Sequence, residues 1–481
     1  MRESASKLFN FSIKKKLFFL ILNILLFLSG SAQPFFELKF GTLMDDRARA
    51  VQQLSDGSTY VAGFSNGGPF GGYDIALTKI SPSGIIQWTK DYGKQDDEYA
   101  LFMSKTSDNA LILCGETHST LTGVDAWIMK IDSGGDVMWG NGLISMLNES
   151  FKYVEETSDG GFILGGFQSD SSNSNDILIV KTDNLGYTIW QKTYGGTDND
   201  YADAVKQTSD GGYLISADSR SFGLPDYDIY MLKIDSTGNF EWDNLSGGPY
   251  ADGCQGFIIT SDKGYFTFGE SIVSLSLPYQ YFLQLTDSMG NIMWEKTMGG
   301  MGADAAFSAM ETNDGGFMIT GYSNSNDINN PIDLVVFKVN DLGDSLWSRY
   351  YGGSGIDIGY HIIPCIGGGF LVAGTTWQND NDFYLLKVND DGIVSSHDIY
   401  LKEEQLKIYP NPSKDHINVH LPRQLKDPIV TVFSQKGKAI LNEKFVGNHS
   451  ELKLDHYLDS GNYIIQVKGE NTGYSTVFLV E

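Results

Sequence analysis

Carboxylates return at a fixed spacing through most of the chain, and carboxylates hold divalent cations or shuttle protons in glycoside hydrolysis. One set is Asp46, Glu98, Glu149, Asp200, Asp252, Asp304 and Asp357. A second is Asp74, Asp125, Asp176, Asp228, Asp333 and Asp382, with Tyr279-Gln280 standing where the fifth copy's acid would be. Oxygen-rich sites of this kind suit calcium, and Asp46, Asp200, Asp252, Asp304 and Asp357 are the metal candidates. No other cofactor is expected. Two such acids could also act as acid and base on a polysaccharide, about 5–5.5 Å apart in a retaining enzyme and about 6.5–9.5 Å in an inverting one. An acid in every copy has a plainer use as well, since its oxygens accept backbone N–H groups and fix turns. Aromatic rings are interspersed with these acids at Phe70, Tyr73, Phe222, Tyr227, Tyr279 and Trp377, with Trp127 nearby in phase. Acids beside exposed rings are the ingredients of carbohydrate recognition, so Trp377, Trp127, Tyr227 and Tyr73 are the ligand-binding candidates. Ordinary loop packing would use the same residues.

Other chemistry finds little support. His118, His361 and His397 are far apart and lack zinc-ligand spacing. No nucleophile elbow or phosphate loop occurs, and glycine pairs such as Gly195-Gly196 and Gly352-Gly353 precede no helix. Cys114, Cys254 and Cys365 stand singly in apolar runs. They read as small buried hydrophobes rather than a disulfide framework. The chain carries 34 basic and 60 acidic residues, a net charge of −26. The excess lies between residues 33 and 400, which should repel nucleic acid and anionic membrane.

The elements that must position these residues come from a repeat. Lys233-Ile234-Asp235-Ser236-Thr237-Gly238-Asn239-Phe240-Glu241-Trp242 reads as strand, tight turn and strand, and the Gly-x-x-x-Trp unit ends again at Trp88, Trp139, Trp190, Trp294 and Trp347. Successive gaps of 51, 51, 52, 52 and 53 residues mark an array or a closed propeller. Each unit holds four strand-like pieces, a to d, and the a–b connection carries Asp-Gly at Asp56-Gly57, Asp159-Gly160, Asp210-Gly211 and Asp314-Gly315. That pair suits a two-residue hairpin turn. Seven a–b–c sets begin near Ala48, Tyr99, Lys152, Tyr201, Gly253, Ala305 and Ile358. The seventh has Ser396 where its tryptophan should be, while an orphan strand d, Phe35 to Gly41, precedes the first set. The expected fold is all-β: a seven-bladed β-propeller closed by an N-terminal strand, with buried indoles, followed by a small C-terminal β-sandwich. In such a ring the d–a and b–c connections share one face, which would carry both acid sets and the aromatic loops. The strand-c lysines, Lys79, Lys130, Lys181, Lys233, Lys338 and Lys387, read as partners of nearby acids.

The Gly-x-x-x-Trp unit resembles the tryptophan-docking repeat of quinoprotein-type propellers. That resemblance implies that a tryptophan of one blade packs on the next. It does not extend to the quinone site, because those dehydrogenases have adjacent cysteines and none are adjacent here. After residue 400 the composition changes. Leu406-Lys407-Ile408-Tyr409-Pro410-Asn411-Pro412 opens a β module, and Leu458-Asp459-Ser460-Gly461-Asn462-Tyr463 begins its closing hairpin. This module resembles the type A C-terminal sorting domain of the type IX secretion system of Bacteroidetes. The resemblance implies passage across the outer membrane, with the secretion machinery as partner. At the other end, Lys14-Lys15-Lys16, the apolar run Leu17 to Leu28 and Gly30-Ser31-Ala32 form a Sec signal peptide pattern. The run is too short for a confident transmembrane helix, and no transmembrane span is expected. The domains expected are 1–32 signal peptide, 33–400 propeller and 401–481 sorting domain, in a protein secreted or held at the outer cell surface. Two functions stay open for it. One is a non-enzymatic module binding polysaccharide or a surface protein; the other is an endoglucanase-like hydrolase using face carboxylates. A quinone-dependent dehydrogenase is a remote third.

Overall fold

A computed structural model describes residues 35–394 except 43, 122, 144–146, 170–173, 224–225, 326–331 and 378–379. In the tail it describes 407–409, 413, 416–420, 428–434, 439–444, 449–453, 458, 461–468 and 473–480. The signal-peptide pattern, the connector after 394 and Ser396 lie outside the described residues, as does Pro410-Asn411-Pro412. Every regular element described is a strand. The chain divides into two compact units, Met1–Val394 and Ser395–Glu481.

The first unit contains seven four-stranded antiparallel sheets among its described residues. Six follow chain order, the first being Asp46–Gln53, Thr59–Ser65, Asp74–Ile80 and Ile86–Tyr92. The seventh takes Asp357–Pro364, Phe370–Trp377 and Asn381–Val388 from the end of the unit and Phe36–Phe40 from its beginning. The register of that addition repeats the others. Phe36 lies opposite Lys387, as Trp88 does Lys79, Trp242 does Lys233 and Trp347 does Lys338.

Five tryptophan rings of the outer strands reach over the c–d turn of the following sheet, at Gly135, Gly186, Gly290, Gly343 and Gly392. A Cβ added to Gly135 would lie 2.6 Å from the Trp88 ring, one on Gly186 2.4 Å from Trp139, and one on Gly392 2.6 Å from Trp347. Only a glycine lets the indole lie this close, and its positive φ, +80° at Gly135, is also glycine's own region. Phe36 makes the same contact on Gly84 of the first sheet, 3.0 Å from where a Cβ would stand. The first and seventh sheets also share one apolar core, in which Val51 and Val61 meet Leu371 and Leu385, with Phe36, Leu38 and Phe40 packed on it. The indoles are half-buried, not buried as the repeat suggests. They lie on the outermost strands, where one ring edge stays in water.

Two more recurrent features are explained locally. The a–b connection is longer than a two-residue hairpin. Gly57 N–H bonds to the Leu54 carbonyl at 2.9 Å, and Leu54 N–H to that of Ser58 at 3.0 Å. A left-handed residue is required only at the last turn position, which Asn109 (φ 63°) and Lys263 (φ 71°) can also fill. The turn aspartate then pairs with the strand-c lysine of its own sheet: Lys130–Asp108 at 2.8 Å, Lys181–Asp159 and Lys233–Asp210 at 3.0 Å, Lys338–Asp314 at 2.5 Å.

In the tail, Lys407–Tyr409, His416–His420 and His449–Lys453 form one sheet. Ile429–Ser434, Ala439–Lys444, Gly461–Lys468 and Gly473–Val480 form another. Alternate residues of both, including Ile417, Val419, Val430, Val432, Ile465 and Val467, meet in a single core, the period-two pattern of sheets with one buried face.

If Phe36 is the seventh sheet's counterpart of the tryptophans, Phe36→Trp should keep the urea midpoint of the full-length protein. Phe36→Ala should lower stability by about 1–2 kcal/mol, the scale for a half-buried ring. Equal midpoints for the alanine variant and the parent would contradict this role.

Candidate functional site

The functional surface begins with how the first strand of each sheet is built. Its opening acid accepts the N–H of the residue four before it. Gly196, Gly300 and Gly353 donate to Asp200, Asp304 and Asp357 at 3.0 Å, Lys94 to Glu98 at 2.9 Å, Gly248 to Asp252 at 2.5 Å, and Thr42 to Asp46. The strand-c acids of the preceding sheets crowd the same turns, since a Cβ on Gly195 would lie 2.2 Å from Asp176 and 2.8 Å from Asp200. The five metal candidates therefore each hold a separate d–a turn. Among the described residues, no group of three or more His, Cys, Asp or Glu side chains is placed to hold a metal ion.

Three residues further on, the same strand does something the repeat hides. In every sheet its pairing slips by one, leaving a single bulged residue: Arg49, Leu101, Lys152, Asp203, Gln255, Phe307 and Tyr360. A bulge frees a residue from the ladder and re-aims it. The strand-b partner is a glycine in six of the seven sheets. At Gly63 a Cβ would lie 1.9 Å from the Arg47 carbonyl oxygen, and at Gly321 1.9 Å from that of Ala305. Ala217 occupies the place in the fourth sheet. Beside the bulge the strand is small in four sheets, as at Ala48, Ala50, Ala202, Ala204, Cys254 and Ala306, whereas the second, third and seventh sheets place Phe102, Phe151, Tyr153 and His361 there.

All seven bulged residues line one cavity of about 400 Å³. Rings of bulge-neighbouring residues meet within it. Phe102 of the second sheet stacks on Tyr153 of the third (centroids 4.3 Å apart) and meets His361 of the seventh at 5.2 Å. Sheets two and seven are not neighbours in the chain order of sheets, so this contact crosses the space between their first strands. Lys206 of the fourth sheet adds hydrogen bonds to the Tyr153 hydroxyl and, at 3.0 Å, to Glu155. His361 accepts the Val51 N–H through Nδ1 at 3.1 Å, which places its proton on Nε2 when neutral. Burial, reinforced by the Lys206 charge, pushes its pKa down to about 4.

The polar side of the cavity belongs to the third, fourth and fifth sheets. Lys152 pairs with Asp203 at 2.9 Å. Burial works against the Lys152 charge, but the Asp203 and Asp218 carboxylates outweigh it and hold its pKa up. Behind this pair, Asp218 accepts the Cys254 N–H at 2.5 Å, and burial together with the Asp203 charge raises its carboxyl far above the usual range. Glu270 faces the Gln255 amide at 3.3 Å. Burial raises Glu270 to about 7 even though that amide favours the ionised form.

The four aromatic candidates are distributed rather than gathered. Tyr73 donates to Asp45 at 2.9 Å and packs edge-on to Phe64. Tyr227 lies beside Tyr201 and under the Arg220 guanidinium. Trp377 is exposed and lines a separate cavity of about 320 Å³ with Arg47 and Tyr360. Trp127, its Nε1 buried without a hydrogen-bond partner, lines another of about 460 Å³ between the first two sheets. The bulge residues escape a reading by motif because they have no common chemistry. Their signal is the opposite one, a first-strand position that holds seven different residue types in seven copies.

Residues 407–481 match the secretion system C-terminal sorting domain. The tail is a type IX secretion sorting domain. It sends the protein through that system to the cell surface or the extracellular space. No curated protein matches the sequence. Among solved structures, the chain is similar at 12% identity to PorZ, a surface component of the type IX system of Porphyromonas gingivalis, with a TM-score of 0.35 over 90% of this chain and 74% of that one. It is similar at 11% to Sqt1 from Chaetomium thermophilum (TM-score 0.41, 94% and 100% covered). It is similar at 9% to the GH93 α-L-arabinofuranosidase of Fusarium graminearum (TM-score 0.40, 74% and 97% covered). At these TM-scores none of the three bears on activity. No helix among the described residues is long and apolar enough to cross a membrane.

The raised carboxyl of Glu270 has a stability consequence. Its folded pKa of about 7 lies above its unfolded value, so its contribution is full below about pH 4 and is lost as pH rises through 7. His361, depressed to about 4, works the other way, losing its contribution as pH falls below about 6.5. Between pH 8 and 6.5 the glutamate dominates. Lowering the pH across that window should raise the melting temperature, with a Glu270 share on the order of 1 kcal/mol. In Glu270→Gln that gain should shrink, and an unchanged pH slope in the variant would contradict the assignment.

Proposed function

We propose that the seven sheets are blades of a closed seven-bladed propeller, exported by type IX secretion, and that it is a non-enzymatic glycan-binding module whose site is the axial cavity. One observation carries the reading. Seven bulges at one repeat position deliver seven different side chains to a single cavity, where a purely structural repeat would deliver the same one. The lining suits a sugar: aromatic faces from Phe307 and Tyr360 for C–H groups, and Asp203, Gln255 and Lys152 for hydroxyls. The Phe102, Tyr153 and His361 rings meet within the cavity and narrow it, which supports the end of a glycan as the ligand rather than its middle.

A hydrolase is the second reading, favoured by one feature. Glu270 with its carboxyl at about 7 beside the cavity has the protonation a general acid needs. Full-length protein on a glycan array, together with reducing-sugar release from plant and algal polysaccharides, separates the two. Binding without sugar release is expected, and Gln255→Ala should weaken it by about tenfold or more while leaving the melting temperature in place. Sugar release abolished by Glu270→Gln would instead establish the hydrolase.

A further inference from the structure

Within the cavity one charge is unanswered. The ion pairs of its described residues are Lys152–Asp203 and Lys206–Glu155, and Arg49 belongs to neither. Its Nε is buried with no hydrogen-bond partner. What holds it is aromatic. The guanidinium carbon lies 4.3 Å from the Tyr360 ring centroid and 5.6 Å from that of Phe64. Stacking fixes the plane of a guanidinium and leaves its edge N–H groups free to donate. Two such N–H groups match the two oxygens of a carboxylate. Arg49 comes from the first sheet, whereas Asp203, the acid that lines the cavity, comes from the fourth and Gln255 from the fifth, the two sheets farthest from it in the proposed ring. There Asp203 is neutralised by Lys152, and Gln255 offers an amide. The site thus has an anion-seeking side and a hydroxyl-binding side, spaced across one small cavity.

We propose that the cavity takes an acidic sugar, a uronic acid at a glycan terminus, with Arg49 binding its carboxylate; this rests on the glycan reading above. Tyr360 acts with it as a positioning residue, holding the guanidinium plane. A guanidinium fork also pairs with two oxygens of a tetrahedral sulfate ester, so a sulfated probe decides between the two anions.

Calorimetric titration of the full-length protein tests this with three probes: oligogalacturonate, the same oligosaccharide with its carboxyl groups reduced to alcohols, and a sulfated neutral oligosaccharide. Oligogalacturonate should bind at least about tenfold more tightly than its reduced counterpart and no less tightly than the sulfated probe. Arg49→Met should abolish that preference. Arg49→Lys, which keeps a charge but loses the planar fork, should retain only part of it. Circular dichroism on each variant confirms folding, and Met138→Leu, on the exposed outer strand of the second sheet and outside the cavity, serves as the control and should keep the preference. Equal binding of the acidic and reduced probes, or a preference that survives in folded Arg49→Met, would overturn the role of Arg49 while leaving the glycan reading intact. Tighter binding of the sulfated probe would overturn the uronate assignment. Failure of all three probes and of every array glycan would overturn both readings.

Discussion

Everything in the larger unit depends on how closely its first strands approach the common cavity. Seven strands converge there, and a side chain of ordinary size on each inward position would overfill the space. In four sheets the chain meets this constraint with alanine, glycine, serine or cysteine beside the bulge, and in six with a glycine in strand b beneath the carbonyl of strand a. It also breaks the ladder once per strand. Each break presents a single larger side chain, so crowding at the centre and diversity at the cavity are two outcomes of one packing problem.

The periphery answers a different problem, which is how separate four-stranded sheets stay in register with one another. A flat ring on the outer strand of one sheet rests on the turn glycine of the next, and a lysine–aspartate pair ties strand c to the a–b turn within each sheet. The ion pairs are part-exposed, and contacts of that kind contribute little each. The ring–glycine contacts remove apolar area from water, and they recur between consecutive sheets. Phe36 on Gly84 extends the same contact from the seventh sheet to the first.

Much of this architecture is legible in the residues alone. The period of Gly-x-x-x-Trp locates the outer strands and their turns, and the missing seventh tryptophan points to the strand at Phe36–Phe40, which pairs with Asn381–Val388. The strand-c lysines have the acid partners their spacing suggests, five of them pairing with the turn aspartates. The site is much less legible. Acids that recur invite a chemical reading, yet residues such as Asp200 and Asp304 recur because every turn needs its N–H groups held. Trp127 and Trp377 are alike as candidate sugar-binding rings, but they line different cavities. Nothing in sequence marks Arg49, Lys152 and Tyr360 as neighbours, since about 50 residues separate one sheet's bulge from the next.

By itself, then, the sequence determined what is local or periodic: short strands from the glycine-rich turns that punctuate them, the repeat from its tryptophans, and the export route from the tail. Tertiary structure decided what depends on long-range register. A one-residue slip in each first strand changes which side chain faces the cavity, and in six sheets the slip lies beside a cross-strand close approach, as at Gly63 beneath the Arg47 carbonyl, that no short stretch of sequence shows. It is the reason seven unlike residues form one site, and why Arg49 sits there against Tyr360, more than 300 positions away in the chain.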